Sequence, residues 1–334
     1  MITSIQDEIN QIDAIRPHLV ILGAGASLAA LPDGDKNGKK LPLMSNFIEV
    51  LNLGNLLIEH GIKFCGDNFE DLYSEIYSDP KKKDICEELE NRIYDYFSSL
   101  QLPEEPTIYD YLILSLREKD VIATFNWDPF LVQAIRRNRI KVKPPRVLFL
   151  HGNVSTGYCY RDKVVGIRGN LCSVCNKLLE KSKLLYPISQ KNYDKDFFIS
   201  KQWSEVKVHI KNTFMVTIFG YSAPNSDISA IEIMKTAWGE IEERAFEQIE
   251  IIDIKEENSI LESWGQFIHT HHYDIYNDFF DSWIANHPRR TGEAFRNQYI
   301  EAMFIDDNSP PKATHLTDLQ KWYKDLIEGE RAHN

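Results

Sequence analysis

The sequence predicts an α/β protein built on a parallel sheet, with an inserted helical module, a small cysteine-containing loop and a helical C-terminal tail. Three apolar runs carry this prediction: His18–Leu22, Val121–Phe125 and Arg146–Leu150. Each run is short and stops at glycine or at a polar residue. Runs bounded in this way are typical of strands buried on both faces. Helical stretches between such strands favour parallel pairing.

The first run passes directly into a glycine-rich turn and then into a segment of helix-forming composition. Glycine lets the backbone approach a phosphate closely, and a helix N-terminus presents unpaired N–H groups to it. We therefore expect a pyrophosphate site in a Rossmann-like fold, formed by Gly23, Ala24, Gly25, Ala26 and Ser27. The dehydrogenase fingerprint needs a small residue at the position of Leu28, so hydride transfer is disfavoured. A purely structural tight turn is the alternative.

The second and third runs place polar side chains at the ends of their strands. Asn126 and Asp128 follow the second run, and His151 follows the third. Ligands in open α/β sheets bind outside the carboxyl ends of the strands, so these side chains are candidates for one site. Alternatively, Asn126 and Asp128 form an Asx-type turn that caps a helix beginning near Pro129.

The segment between the first two runs, residues 45–118, has a helical composition. Apolar residues recur at helical spacing in Asn46–Glu59 and in Asp84–Leu100. We predict a helical module that lies over the nucleotide cleft.

Two further strands are predicted later in the chain. Phe214–Phe219 ends at Gly220, and Gln248–Ile254 is the last clear strand. We expect the end of the latter to receive the adenosine, and Tyr186–Pro187 and Lys191–Asn192 to approach the nucleotide.

The remainder of the chain is predicted to be helical. The helical pattern begins at Asp274 and continues through Asp278–Ala285 and Leu316–Ile327. We therefore divide the chain into a catalytic domain at 1–275 and a helical C-terminal extension at 276–334.

The loop predicted at residues 152–190 contains three of the five cysteines. Cys172 and Cys175 have the two-residue gap of a zinc knuckle, and Cys159 precedes them. The residue three positions after Cys159 is Asp162, whereas a cysteine-rich structural site normally takes Cys or His as its fourth ligand. We predict a degenerate, zinc-ribbon-like site with the three cysteines as ligands. A remnant loop with free thiols is the alternative.

Taken in order, these motifs resemble the sirtuin-like (silent-information-regulator-like) NAD-binding domain. The bacterial branch that hydrolyses NAD during anti-phage defence is the more similar one. The resemblance covers about residues 15–275 and rests on Gly23–Ser27, Thr124–Asp128, His151–Gly152 and Phe219–Asp227. The chain departs from the deacylases at Phe125, where they usually carry glutamine. It also has Leu31–Lys36 in place of their Ile-Pro-Asp-Phe-Arg type segment.

The resemblance implies NAD as the substrate and catalytic roles for Asn126, His151 and Asp128. Besides the glycine-rich turn, it implies nucleotide contacts for Thr124, Gly220, Tyr221, Ser222 and Asp227. The implied function is cleavage of NAD to nicotinamide and ADP-ribose, which depletes NAD in abortive infection. An NAD-dependent protein deacylase and a non-catalytic sensor of NAD or ADP-ribose are the alternatives. The two departures argue against acyl-lysine chemistry.

The chemistry also follows from the residue types. Nicotinamide in NAD is a cationic leaving group, so the enzyme must orient the substrate, stabilise a positive ribose and place a water on the opposite face. The amide of Asn126 both donates and accepts, so it suits the water or the ribose hydroxyls. The imidazole of His151 is suited to take the proton that the water loses. Asp128 is suited to orient a ribose hydroxyl or His151.

Composition excludes several other classes of protein. The chain is 43% hydrophobic and 26% charged, as in ordinary globular proteins. Its net charge of −12 disfavours direct nucleic-acid binding. We expect no membrane association and a cytoplasmic location, because the sequence lacks a long apolar run and a signal-peptide pattern, and an odd number of cysteines suits a reducing compartment.

An enzyme that destroys NAD must be held inactive until it is needed. We therefore expect control by homo-oligomerisation together with a second protein, and the resemblance implies a partner such as an HerA-like ATPase. The assembly surfaces are predicted to be the helical module at 45–118 and the tail with Arg289 and Arg290, since neither carries chemistry.

Overall fold

The computed structural model describes residues 2–64, 68–139, 141–188, 193, 195–223, 227–240, 248–265, 267–268 and 273–333. Its strands are, in chain order, β1 (Ile2–Thr3), β2 (His18–Leu22), β3 (Val121–Thr124), β4 (Arg146–Phe149), β5 (Thr156–Cys159), β6 (Val164–Ile167), β7 (Glu180–Lys181), β8 (Met215–Phe219), β9 (Gln248–Ile252), β10 (Tyr273–Tyr276) and β11 (Phe304–Ile305).

In the described part of the chain, the large sheet has six parallel strands in the order β10-β9-β8-β2-β3-β4. Numbered along the chain within this sheet, the order reads 6-5-4-1-2-3, which is the strand order of a Rossmann-like fold. The inner strands β2, β3, β8 and β9 are buried along their whole length. The predicted α/β class is confirmed.

The helices connect and cover these strands. They are α1 (Ile5–Asn10), α2 (Ala24–Ala30), α3 (Phe47–Val50), α4 (Gly54–Glu59), α5 (Phe69–Ser78), α6 (Lys83–Ser98), α7 (Ile108–Ser115), α8 (Phe130–Asn138), α9 (Phe197–Asn212), α10 (Ile228–Trp238), α11 (Glu257–Trp264), α12 (Trp283–Asn286), α13 (Thr291–Phe295), α14 (Leu316–Trp322) and α15 (Lys324–His333). Shorter turns are 3₁₀ at Pro80–Lys82 and Phe279–Asp281, and π-helical at Arg296–Ile300.

Helices α3 to α7 lie between β2 and β3, where the helical insertion was predicted. Aromatic rings hold them together: Phe47 stacks on Phe69 at 4.4 Å between ring centroids. Phe97 then meets Trp127 edge to face at 5.6 Å. Because Trp127 follows β3, the module packs against the carboxyl edge of the sheet.

The segment after β4 forms a small antiparallel sheet in the order β6-β5-β7. Cys159 ends β5, and Cys172 and Cys175 lie in the connection between β6 and β7. The small cysteine-containing element predicted from the sequence is therefore present.

The prediction that the chain becomes helical from Asp274 was wrong, as was the choice of Gln248–Ile254 as the last strand. Residues 273–276 form β10, which pairs with β9 in parallel register from Tyr273 opposite Ile249 to Tyr276 opposite Ile252. This edge strand is half-buried and has a carboxylate, Asp274, at its second position, so it lacks the continuous apolar run that marked the inner strands.

The prediction that Arg289 and Arg290 belong to an exposed assembly surface was also wrong. Arg289 is 5% exposed and Arg290 is fully buried. Both guanidinium groups bind the carboxylate of Glu330 in α15, at 2.6 and 2.8 Å. Arg290 also donates to the carbonyl oxygens of Ile9 and Leu326. The two arginines therefore link the segment before α13 to α15, and Arg290 also links it to α1.

None of the helices in the described residues combines the length and apolar character that crossing a bilayer requires.

Candidate functional site

The loops that follow β2 and β8 meet where the strand order reverses. Gly23 N–H donates to Phe219 O at 3.0 Å, and Gly25 N–H donates to Gly220 O at 2.9 Å. A β-carbon on Gly25 would lie 2.7 Å from Gly220 Cα, and one on Gly220, with φ of 60°, would lie 2.2 Å from Ala26 N. Close packing of the loops thus requires both glycines. These glycines border the crevice where such folds bind ligands, and the pyrophosphate contact stays a prediction.

A cavity of about 740 Å³ opens at this edge of the sheet, within the size range of small-molecule and cofactor sites. The residues predicted from the sequence that line it are Gly23, Ala24, Gly25, Ser27, Asn126, Asp128, His151, Gly220, Tyr221, Ser222 and Asp227. Ala26 and Thr124 are not among the lining residues; both are buried. The cavity therefore brings together the ends of strands that are far apart in the sequence.

The side chain of Asn126 is held by several acceptors. Its Nδ2 donates to Gly23 O at 2.8 Å, to Ser27 Oγ at 3.1 Å and to Tyr109 OH at 3.3 Å. Its backbone N–H donates to Thr124 Oγ1 at 3.0 Å. Thr124 thus shapes the loop that carries Asn126, and the amide has a defined orientation because Nδ2 faces these acceptors.

Asp128 both caps a helix and belongs to the cavity wall. Its Oδ1 accepts from Phe130 N–H at 3.2 Å, at the start of α8, as the Asx-turn interpretation predicted. Its Oδ2 accepts from Ser27 Oγ at 2.7 Å. Burial raises the pKa of Asp128 to about 6, although both hydrogen bonds act in the opposite direction. The carboxylate is therefore ionised at neutral pH and becomes protonated in mild acid.

His151 lies at the end of β4 and is 6% exposed. The Phe125 ring meets it edge to face at 4.8 Å between centroids. Its Nε2 is 3.4 Å from Tyr193 OH and 3.8 Å from Asp227 Oδ1. Its carbonyl oxygen accepts from Leu185 N–H at 2.9 Å, which fixes the backbone. Asp227, predicted as a nucleotide contact, thus lies beside the histidine.

Aromatic side chains form the wall next to His151. Phe125 and Tyr221 stack almost face to face, with centroids 4.0 Å apart and planes at 4°. Tyr221 OH donates to Asp227 Oδ2 at 3.0 Å. Burial raises the pKa of Tyr221 well above its usual value, so the phenol remains a donor. The wall beside His151 is therefore aromatic, and its phenol is bound to Asp227.

The carboxyl end of β9 contributes Asp253 and Lys255 to the cavity, and Pro187 lines it from the loop after β7. The sequence predicted this strand end and Pro187 as parts of the site. Contact of this strand end with adenosine stays a prediction. Lys191–Asn192 lies outside the described residues.

Three residues of the site were missed from the sequence: Tyr109, Tyr193 and Asn153. Asn153 is 1% exposed and donates to the backbone oxygens of Asp128 at 2.6 Å and Asn126 at 3.3 Å. Its position two residues after His151 could have predicted it, because polar residues that follow a strand are candidates for the site. Tyr109 and Tyr193 carried no such signal, since neither directly follows a strand.

A candidate metal centre lies away from this cavity. One ligand atom each from Cys159, Asp162, Cys172 and Cys175 lies within 4.8 Å of all the others. The Sγ atoms of Cys159 and Cys175 are 3.7 Å apart, and Val174 N–H points to Cys172 Sγ at 3.4 Å. Zinc binds Asp oxygen as well as Cys sulfur, so these four side chains fit a tetrahedral zinc ion, with a carboxylate in the place where structural sites normally have Cys or His. The three predicted cysteines are therefore brought together, with Asp162 as the fourth side chain.

No protein-family model matches the sequence, and no curated protein is significantly similar to it. Among solved structures, a Sir2 homologue in complex with NAD is 13% identical, with a TM-score of 0.40 over 87% of this chain and 92% of that one. A structure addressing the mechanism and regulation of Sir2 enzymes is 12% identical, with a TM-score of 0.36 over 99% and 100%. A structure addressing sirtuin substrate affinity is 15% identical, with a TM-score of 0.34 over 89% and 96%. Likeness this distant assigns no function to the chain.

Proposed function

We propose that the protein is an NAD glycohydrolase, which cleaves NAD to nicotinamide and ADP-ribose. One observation carries the proposal: Asn126, Asp128 and His151 converge in a single cavity at the point where the strand order reverses, beside the glycine-rich turn. Rossmann-like sheets bind nucleotides at this point. The cavity combines that location with groups suited to acid–base and polar catalysis.

The reaction requires little from the protein by way of acid catalysis. As the bond between ribose C1′ and the nicotinamide nitrogen breaks, its electron pair neutralises the cationic pyridinium, and positive charge develops on the ribose. A water oxygen then bonds to C1′ and loses a proton. The protein supplies orientation, stabilisation of the ribose and a proton acceptor.

Each group has a role that its environment supports. Asn126 holds the water or the ribose hydroxyls, because its amide is already oriented by its Nδ2 bonds. His151 takes the proton, and its neighbours at Nε2, Tyr193 and Asp227, hold the ring in place. Asp128, ionised at neutral pH, stabilises the positive ribose or orients a hydroxyl.

An acylated peptide is the alternative to water as the acceptor. Phe125 is 7% exposed and Tyr221 is 5% exposed, and their stack lines the cavity beside His151. A deacylase needs a groove for acyl-lysine at that histidine. The alternatives make different predictions: a deacylase releases nicotinamide only with an acyl-peptide, and a sensor binds nucleotide without turnover.

The biological setting is proposed from the resemblance noted in the sequence. Depletion of NAD by this cytoplasmic enzyme would act in anti-phage defence. Control would come from homo-oligomerisation and from a regulatory partner such as an HerA-like ATPase, since a constitutively active NAD hydrolase would harm its own cell.

The test is incubation of the purified protein with NAD, with chromatographic separation of nicotinamide and ADP-ribose. We expect Asn126→Ala and His151→Ala each to reduce turnover by about 10²–10⁴-fold, while circular dichroism stays unchanged. His60→Ala, which changes a surface histidine paired with Glu88, serves as the matched control and should retain activity. Near-normal turnover in both site variants would show that the site is wrongly assigned.

A further inference from the structure

Tyr109 brings the helical module into direct contact with the site. It lies in the first turn of α7 and is 2% exposed. Its hydroxyl oxygen is 2.6 Å from Ser27 Oγ and 3.3 Å from Asn126 Nδ2. The sequence assigned no chemistry to this module, yet one of its hydroxyl groups contacts Ser27 and Asn126, which line the cavity.

The direction of the hydrogen bonds follows from their end at Asp128. Ser27 has one hydroxyl proton, and it donates that proton to the Asp128 carboxylate. The Ser27 oxygen can therefore only accept from Tyr109, so Tyr109 donates its own proton there. The Tyr109 oxygen is then left to accept from Asn126 Nδ2. The four side chains thus form one ordered chain from amide to carboxylate.

The Gly23 carbonyl oxygen and this chain of hydrogen bonds together determine which way the Asn126 amide faces. With Nδ2 toward Gly23 O, Ser27 and Tyr109, every contact pairs a donor with an acceptor. A flipped amide would set Oδ1 against the carbonyl oxygen of Gly23, two acceptors with no proton between them. Low local dielectric strengthens such a buried network when all of its members are satisfied.

Helix α7 holds the Tyr109 hydroxyl in place. Thr107 and Asp110 form a capping box at its start, with Thr107 N–H and Oγ1 both donating to Asp110 Oδ2. Asp110 is also bound by Arg137 and by Asn138 Nδ2 in α8. Residues on either side of Tyr109 are therefore anchored to neighbouring elements, which gives the phenol little freedom to move.

We propose that Tyr109 is a positioning residue for NAD cleavage, which holds the Asn126 amide in its reactive orientation through the chain to Ser27 and Asp128. This inference rests on the proposed glycohydrolase function and names a further residue of the same site. Tyr109 acts on the reaction through Asn126, and it contributes to turnover without adding to nucleotide affinity.

The test compares Tyr109→Phe with Tyr111→Phe in the full chain. Tyr111 lies on the same helix, and its hydroxyl donates to Pro311 O at 3.0 Å, away from the cavity. Both changes remove one hydroxyl and keep the ring. We expect Tyr109→Phe to lower kcat for NAD cleavage by about 10–10²-fold, as for a small misplacement of a reacting group. KM and the calorimetric affinity for ADP-ribose should stay at wild-type values. Tyr111→Phe should keep wild-type kcat.

The outcomes separate this inference from the proposed function. Wild-type kcat in Tyr109→Phe would overturn the positioning role and leave the glycohydrolase intact. A weaker affinity for ADP-ribose with unchanged kcat would make Tyr109 a binding residue and would also overturn it. Equal loss of kcat in both variants, matched by equal loss of thermal stability, would show a merely structural role. Absence of both NAD cleavage and calorimetric ADP-ribose binding in the wild-type protein would overturn both proposals.

Discussion

Replacement of Asp128 by asparagine should stabilise the folded protein while it impairs catalysis. Asp128 is 4% exposed, and its carboxylate accepts hydrogen bonds from Ser27 and Phe130. Burial outweighs these bonds and raises its pKa from 3.8 to about 6. An ionised carboxylate at this position therefore opposes folding at neutral pH.

The magnitude follows from the shift in pKa. At 1.36 kcal/mol per unit, a rise from 3.8 to about 6 corresponds to about 3 kcal/mol. Asparagine has nearly the same shape and accepts from Phe130 through its oxygen; its nitrogen donates to Ser27, which reverses the hydrogen bond between Ser27 and Tyr109. Asp128→Asn should therefore raise the free energy of unfolding at neutral pH by up to about 3 kcal/mol.

The direction of the pKa shift of Asp128 determines how the stability of the protein depends on pH. The folded state binds the Asp128 proton more tightly than the unfolded state, so the stability from this proton is fully present below pH about 4. It is lost as the pH rises through about 6. The advantage of the variant over wild type should therefore be smallest in acid and reach its full value above pH about 6.

Urea unfolding followed by tryptophan fluorescence, at about pH 4 and about pH 7.5, measures this difference. Asp120→Asn is the matched control. Burial alone would raise the pKa of Asp120, but Lys119 and Arg117 outweigh burial and hold it below its usual value. That variant should lose stability at neutral pH. An Asp128→Asn protein that is no more stable than wild type at the higher pH, or whose difference does not depend on pH, would refute the reasoning.

Three further predictions concern the metal centre, the tail and assembly. Cys172→Ser combined with Cys175→Ser should lower the melting temperature more than it lowers NAD turnover; elemental analysis of protein purified without chelator should find stoichiometric zinc, and its absence would contradict the site. Arg290→Ala removes a fully buried guanidinium and leaves the largely covered carboxylate of Glu330 less well paired, so urea unfolding should show a loss of about 3–5 kcal/mol, whereas no change would mean that this ion pair does not fasten the tail. Size-exclusion chromatography with light scattering should show an oligomer; a strict monomer with full, unassisted activity would exclude control by assembly.

Local sequence was sufficient for the framework of the fold. The runs that became β2, β3, β4 and β8 are largely apolar, and β2, β3 and β8 are buried along their length because helices cover both faces of a parallel sheet. Since the carboxyl ends of parallel strands share one edge, the sequence alone places Asn126 and His151 in one site. The cysteine spacing likewise indicated a metal-binding loop. These features depend on residues close in sequence or on a general property of parallel sheets.

Features that depend on long-range packing could not be predicted from local sequence. The edge strand β10 owes its conformation to pairing with β9, and its own residues carry no strong strand pattern. Arg290 looks like a surface residue in the sequence, yet partners from α1 and α15 bury it. In both cases the structure of a segment depends on a contact with another element. Nothing in the segment's own sequence indicates that contact.

The amino-acid sequence by itself determined the strands β2, β3, β4, β8 and β9 of the sheet and the polar groups that follow β3 and β4. Only the tertiary structure decided that Tyr109, from a helix 17 positions before Asn126, completes the hydrogen-bond chain of the site. The physical reason is that hydrophobic periodicity specifies which face of an element is buried, whereas the partner of a buried polar atom depends on how separate elements pack in three dimensions.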